Sequence, residues 1–212
     1  MQRLVSGAHQ LGLAIDDEQA FRLLAYLACL DRWNRVHNLS AQATLSHYMV
    51  QHVFDSMTLV GPLTRHAKGR SLRVLDAGSG SGFPAVVVAA LRPDWAIAAV
   101  DAVAKKVAFV RQAAAEAGIA NLTAHHDRLE HLQPVEGFDV VVSRAFASLD
   151  KLIASTGRLL VQNGVWVAMK GRAPSDEFAR LNKGVEVFHV EPVTVPELNA
   201  ERNLIWMRRT TP

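Results

Sequence analysis

The sequence of 212 residues contains little cysteine, no long apolar run and no strong excess of either charge. Cys29 is the single cysteine, which excludes an internal disulfide, and its apolar helical surroundings predict a buried structural thiol. No run approaches the roughly 18 apolar residues that span a membrane. The N-terminus, residues 1–9, lacks the apolar core of a signal peptide. We therefore expect a cytoplasmic protein, and a net charge of +3 is too small to indicate a nucleic-acid partner by itself.

The chain divides by its pattern into an N-terminal helical cap, residues 1–68, and a sheet domain, residues 69–212. In the cap, residues 16–19 resemble a capping box that opens a long helix, and a second helix runs from Leu45 to a predicted end near Gly61 and Pro62, with 61–71 as the connection. Beyond it, apolar strands alternate with helices, which predicts an α/β fold with a mostly parallel seven-stranded sheet and an antiparallel hairpin at one edge. We place strands near 72–77, 95–101, 121–125, 138–143, 163–169, 184–191 and 202–208, and helices near 83–91, 103–117, 148–160 and 174–181.

A glycine-rich stretch follows the first predicted strand. Glycines at 78, 80 and 82 alternate with serines, and Pro84 suits the first turn of the helix that follows. The stretch lacks the lysine of a triphosphate-binding loop, and Phe83 stands where a dinucleotide fingerprint needs its third glycine. A bare backbone turn without a phosphate lysine suits a nucleoside such as S-adenosylmethionine, whose carboxylate can use the helix N-terminus.

A second apolar strand ends at Asp101, 19 residues beyond Gly82. A carboxylate at this offset accepts hydrogen bonds from ribose hydroxyls, although Asp101 could equally cap the next helix. The combination predicts a class I S-adenosylmethionine-dependent methyltransferase with a Rossmann-like sheet. Three alternatives remain: a small-molecule methyltransferase, a dinucleotide-dependent oxidoreductase, which Phe83 disfavours, and a non-catalytic RNA-binding module, which would not need Asp76, Asp101 and the glycines together.

Four further segments resemble the motifs of one family. They are Trp33 to Ser40, His52 to Ser56, Ser143 to Leu149, and Lys170 with Gly171. In this order they are similar to the bacterial small-subunit rRNA guanine-N7 methyltransferase family, also called glucose-inhibited division protein B. The sequence departs from the family pattern at Ser81, Phe83, Ala85 and Asn203.

The resemblance implies a donor, a substrate and a set of residues. S-adenosylmethionine, leaving as S-adenosylhomocysteine, would be bound by Gly78, Gly80, Phe83, Asp101, Leu129, Glu130 and Arg144. The substrate would be 16S rRNA, at guanine 527 in the 530 loop, within the small ribosomal subunit or an assembly intermediate. Arg144 is the candidate for positioning the substrate. Phe146, as a stacking partner or a core residue, and Lys170, Arg172 and Arg202 are candidates for RNA contact. We expect a monomer.

What the chain lacks also bears on the methylated atom. Methylation of pyrimidine C5 needs a thiolate that adds to the ring, and Cys29 is far in sequence from Arg144. Enzymes that methylate exocyclic amines commonly carry a polar-Pro-Pro-aromatic turn after the fourth strand, and this sequence has none there. Guanine N7 carries a lone pair and no proton, so in-line transfer by positioning, without a general base, suffices. The spacing of His37, His52 and Asp55 matches no zinc pattern, so we expect no metal and hydrogen bonds that hold the helical cap on the sheet.

Overall fold

The structure, a computed structural model, describes residues 1–37, 44–144, 146–181 and 183–210. Within these ranges the sheet has seven strands in the order β3-β2-β1-β4-β5-β7-β6. They are β1 Arg73–Ala77, β2 Ala96–Asp101, β3 Leu122–His126, β4 Phe138–Ser143, β5 Leu160–Lys170, β6 Val185–Val193 and β7 Arg202–Arg209. β1 to β5 are parallel, and β7 runs antiparallel to β5 and β6, which confirms the predicted edge hairpin.

The order of the strands creates a crevice between β1 and β4. β2 and β3 extend the sheet on one side of β1, and the chain then returns to place β4 on the other side. Ligands of open α/β sheets bind at such a switch point, outside the carboxyl ends of the strands. Asp76, Asp101 and Arg144 all lie at these ends.

Successive side chains of a strand point to opposite faces of the sheet, so each central strand contributes to two cores, one on either face. Val74 and Val140 belong to a core shared with the N-terminal helices and with α6 Ala85–Leu91 and α7 Ala104–Glu116. Their neighbours Leu75 and Val141 belong to a second core with α8 Leu149–Thr156 and α9 Ser175–Phe178. This burial on both faces explains the nearly unbroken apolar runs of the central strands.

The N-terminal helices α1 Gln2–Gln10 and α2 Asp17–His37 pack on the first of these faces. The predicted capping box is confirmed: the Gln19 N–H donates to Asp16 Oδ1 at 2.7 Å, and the Asp16 N–H donates to Gln19 Oε1 at 3.1 Å. The predicted loop after α2 lies almost entirely outside the described residues. No helix in the described ranges has both the length and the apolar composition to cross a membrane.

The second helical stretch is broken into short pieces. α3 Leu45–Tyr48 continues into a π-helical turn, Met49–Phe54, and then into α4 Asp55–Met57 and α5 Val60–Ala67. The predicted end near Gly61 and Pro62 is wrong, because both residues lie in the first turn of α5. Proline is tolerated there, where its missing N–H would have had no partner within the helix.

Candidate active site

The glycine turn is bound to β2 by hydrogen bonds of its backbone. The N–H groups of Gly78 and Ser79 donate to the Val100 carbonyl at 2.9 and 3.0 Å. Asp101 accepts from the Gly80 N–H through Oδ2 at 2.9 Å and from the Val103 N–H through Oδ1 at 2.8 Å. Asp101 therefore joins the turn to the residue that precedes α7, and it is half-buried in the lining of a cleft. It is not the N-cap of α7, because that position is held by Val103 and no side chain caps the helix.

A cleft of about 260 Å³, here called the turn cleft, opens beside this carboxylate. It is lined by five residues predicted from the sequence, Gly78, Asp101, Leu129, Glu130 and Phe146, and by Val100, Ala102, Asp127 and Arg128. A Cβ on Gly80 would meet nothing within 4 Å, so the backbone of the turn is open at this position. These features fit a nucleoside donor, because its ribose hydroxyls need an acceptor and the rest of the molecule can lie against backbone that carries no side chain.

Asp76 lies beneath the turn and is 1% exposed. Its Oδ2 accepts from the Ala85 N–H at 3.0 Å, while Oδ1 has no hydrogen-bond partner among the residues that the structure describes. Burial raises the pKa of Asp76 to about 7, and this hydrogen bond and Arg144 oppose the shift only in part. Asp76 is therefore a buried carboxyl beneath the glycine turn, with one oxygen unpaired among the described residues.

A second cleft of about 450 Å³, here called the arginine cleft, opens at the ends of β4 and β5. It contains three of the predicted substrate residues, Arg144, Lys170 and Arg202, and is also lined by His47, Gln51, His52, Asp55, Met169 and Gly171. Arg144, directly after β4, lines this cleft, and Phe146, two residues further along the chain, lines the turn cleft.

Arg144 is fixed by the π-helical turn. Its Nη1 donates to the Gln51 carbonyl at 3.0 Å and to His52 Nδ1 at 2.9 Å. His52 Nδ1 also lies 3.1 Å from the Gln51 carbonyl. Because a guanidinium group only donates, Nδ1 accepts from Arg144 in the neutral tautomer that carries its proton on Nε2. Burial and the nearby guanidinium group lower the pKa of His52 to about 4, so the ring stays neutral at pH 7. Single π-turns often occur at functional sites, and this one supplies both acceptors for Arg144.

Asp55 joins the two arginines of the cleft. Its Oδ1 accepts from Arg202 Nε at 3.0 Å, and its Oδ2 lies 3.8 Å from Arg144 Nη1. Burial raises the pKa of Asp55 although both guanidinium groups oppose the shift. For His52 and Asp55 these contacts confirm the expected hydrogen bonds between the helical segment and the sheet, whereas the side chain of His37, the third residue of that expectation, lies outside the described part of the chain.

The remaining predicted residues are spread over other surroundings. Phe83 is 2% exposed, packed edge-on against Tyr26 and stacked on His52, with ring centroids 5.7 and 5.1 Å apart. Phe146 packs against the second core and lies away from the arginine cleft. The side chain of Arg172 is 93% exposed and lies 4.0 Å from a Glu201 oxygen, and Arg172 does not line the arginine cleft.

Lys170, Leu129 and Glu130 are each tied to neighbouring elements. Lys170 Nζ lies 3.3 Å from Glu177, whose other oxygen accepts from the first N–H of α8 at 2.6 Å. Arg158 donates to the carbonyls of Leu129 and Glu130 at 2.9 and 2.7 Å, which fixes the backbone at the edge of the turn cleft. No group of three or more metal-ligating side chains occurs in the described parts of the chain.

The geometry identifies a class of protein. A seven-stranded sheet with this strand order, a glycine turn tied to a carboxylate at the end of β2 and a cleft beside them defines a class I S-adenosylmethionine-dependent methyltransferase. Magnesium protoporphyrin IX methyltransferase of Synechocystis, solved with S-adenosylmethionine bound, matches with a TM-score of 0.62 at 19% identity over 92% of this chain and 98% of that one. Ribosomal protein L11 methylase of Lactobacillus delbrueckii matches with a TM-score of 0.56 at 18% identity over 74% and 79%.

Residues 19–205 match the family model described as rRNA small subunit methyltransferase G. The chain is 48% identical to the ribosomal RNA small subunit methyltransferase G of Leptothrix cholodnii, over 97% of this chain and 94% of the relative. It is 44% identical to the protein of the same name from Methylibium petroleiphilum, over 98% and 94%. The chain belongs to the rRNA small subunit methyltransferase G family.

Proposed function

We propose that this protein transfers a methyl group from S-adenosylmethionine to N7 of a guanine in 16S rRNA. The observation that carries the proposal is that Arg144 and Phe146, two residues apart after β4, line different clefts. One cleft contains Asp101 and Gly78 of the glycine turn, and the other contains the cations Arg144, Lys170 and Arg202. A methyl donor in the turn cleft and an RNA base in the arginine cleft would meet at the loop after β4.

Residues of the turn cleft would hold the donor. Asp101 would accept from the ribose hydroxyls, Gly78 and Gly80 would present bare backbone, and Leu129 and Glu130 would border the adenine. When bound, S-adenosylmethionine supplies a methyl group that its sulfonium sulfur makes electrophilic. Phe146 is 3.9 Å from the position of a Cβ on Gly78, so it belongs to this donor side and its proposed role changes from RNA stacking to covering the donor.

Residues of the arginine cleft would hold the RNA. Arg144 and Arg202 both form ion pairs with Asp55, and Lys170 forms an ion pair with Glu177. Each cation of the cleft is therefore oriented by a carboxylate. Guanidinium groups in fixed orientation suit phosphate oxygens and guanine O6. The target base must leave its stack to enter the cleft, which agrees with the preference of proteins for unpaired RNA.

Positioning is the chemical contribution that the chain must make. Guanine N7 has a lone pair and no proton, so no base is required at the reacting atom. Alignment of reacting groups contributes up to roughly 7–11 kcal/mol in well-oriented reactions. The double anchor of Arg144 on Gln51 and His52 is the rigid support that such alignment needs. We further propose that the protein acts as a monomer on the small subunit or an assembly intermediate.

The test is methyl transfer from labelled S-adenosylmethionine to naked 16S rRNA, to assembled small subunits and to free guanosine. We expect label in 16S rRNA in at least one of the first two samples, with binding that weakens as salt rises. Label on guanosine alone, or no transfer to any of the three, would overturn the proposal.

A further inference from the structure

Tyr26 of α2 lies directly under the glycine turn. It is 1% exposed, and its hydroxyl donates to the Ser81 carbonyl at 3.1 Å. A buried tyrosine hydroxyl normally requires such a partner. Burial raises the pKa of Tyr26 well above its ordinary value, so the hydroxyl remains a proton donor throughout the neutral range.

The third glycine of the turn faces this tyrosine. A Cβ on Gly82 would stand 2.3 Å from Tyr26 Oη and 3.3 Å from Tyr26 Cζ, far inside contact distance. A Cβ on Gly80 would meet nothing within 4 Å. Both glycines have positive φ, +82° and +57°, so backbone strain is common to them and the approach of Tyr26 distinguishes them. Gly82 is therefore constrained by Tyr26 of α2 and, at 3.2 Å, by Val110 Cγ2 of α7, with the Tyr26 hydroxyl much the nearer, while a side chain on Gly80 would have open space.

The next residue of the turn also contacts Tyr26. The rings of Phe83 and Tyr26 meet edge-on at 86°, and the opposite side of Phe83 stacks on His52, which accepts from Arg144. Tyr26 thus touches Ser81, Gly82 and Phe83 in succession.

We propose that Tyr26 is a positioning residue that sets the conformation of the donor-binding turn from below. The inference rests on the proposed function, because the turn is taken to hold S-adenosylmethionine. Through Ser81 and Gly82 the hydroxyl fixes the backbone that approaches the donor, and the N-terminal helices thereby contribute to donor affinity without touching the donor.

The first test measures binding of S-adenosylhomocysteine to the full chain by calorimetry. Tyr26→Phe keeps the ring and removes the hydroxyl, and we expect Kd to rise about tenfold, which corresponds to about 1.4 kcal/mol. The Michaelis constant for the donor should rise in parallel, while that for RNA stays unchanged. The matched control is Thr156→Val, which removes another buried hydroxyl, one that accepts from Trp166 on the opposite face of the sheet. It should lower the unfolding midpoint at least as much and leave the donor Kd unchanged.

A double-mutant cycle separates positioning from a general loss of stability. Gly82→Ala should weaken donor binding by a larger factor in the wild type than in Tyr26→Phe, because the hydroxyl that the new Cβ would strike is gone. Gly80→Ala should weaken it by the same factor in both backgrounds. Equal donor affinity of wild type and Tyr26→Phe, or additive effects of Gly82→Ala and Tyr26→Phe, would overturn the inference. Failure of the wild type itself to bind S-adenosylhomocysteine would instead contradict the proposed function.

Discussion

The buried carboxyl of Asp76 provides a quantitative test of the site's electrostatics. Its pKa is about 7 in the folded protein against 3.8 for an ordinary aspartate. Because the folded-state pKa is the higher one, the stabilisation is complete below pH 3.8 and is lost as the pH rises toward 7. At 1.36 kcal/mol per pKa unit, this linkage reaches about 4 kcal/mol above pH 7, of which about 3 kcal/mol falls between pH 4.5 and pH 8.

The perturbation is Asp76→Asn, which keeps an oxygen to accept from the Ala85 N–H and removes the titration. The assay is urea unfolding of both proteins across this pH range, with the difference in unfolding free energy taken at each pH. This difference should shift in favour of Asp76→Asn by about 3 kcal/mol as the pH rises from 4.5 to 8. The amide leaves a buried N–H without an acceptor, which lowers the stability of the variant at every pH but does not alter the slope.

Taking the difference is necessary because His52 titrates in the opposite sense. Its pKa falls from 6.5 to about 4 on folding, so its contribution is present above pH 6.5 and is lost as the pH falls. Titration of His52 cancels between wild type and Asp76→Asn. A difference that does not change with pH would refute the assignment of a raised pKa to Asp76.

Three further predictions concern the clefts. Arg144→Ala should reduce methylation of small subunits at least about 100-fold, since misplacing a reacting group costs about this much in rate. The control, Arg180→Ala, removes an exposed cation outside both clefts and should leave the rate near that of the wild type. Equal rates for the two variants would refute the role of Arg144. His52→Asn keeps an acceptor for Arg144 and removes the titrating ring. As the pH falls from 8 to 4.5, the unfolding free energy of the wild type should drop by about 2–3 kcal/mol more than that of the variant. The same pH dependence of the unfolding free energy in both proteins, measured with urea, would contradict the lowered pKa. Asp101→Asn should raise the donor Kd about tenfold or more through loss of a charged acceptor, measured by calorimetry, and an unchanged Kd would exclude Asp101 from the donor site.

The features that sequence alone predicted are those set by neighbouring residues. The seven strands follow from apolar runs bounded by turn residues, and the glycine turn follows from the spacing of Gly78, Gly80 and Gly82 after such a run. The hairpin of β6 and β7 was predicted from a short connection between Pro192 and Pro196, although Pro192 itself lies in β6, opposite Asn203 of β7. The predicted helix end at Gly61 and Pro62 was wrong because glycine and proline are found both where a helix ends and in the first turn of the next one.

The features that sequence did not predict depend on contacts between distant segments. Arg144 meets His52 across 92 positions, and Tyr26 meets Ser81 across 55. His52 and Asp55 were expected to make hydrogen bonds that hold the helical cap on the sheet, but the sequence did not indicate Arg144 and Arg202 as their partners. Phe146 stands two residues after Arg144, yet it lines the turn cleft while Arg144 lines the arginine cleft, which the spacing alone did not indicate.

The central claim is that the two clefts bring a methyl donor to guanine N7, and the position of the methyl group on the RNA tests it most directly. Small-subunit RNA methylated by the wild-type protein is reduced with borohydride and treated with aniline, which cleaves at N7-methylguanosine. The account predicts one new cleavage in 16S rRNA that requires S-adenosylmethionine and is absent with Arg144→Ala. Incorporation of methyl label without any cleavage would place the group on another atom and contradict the account.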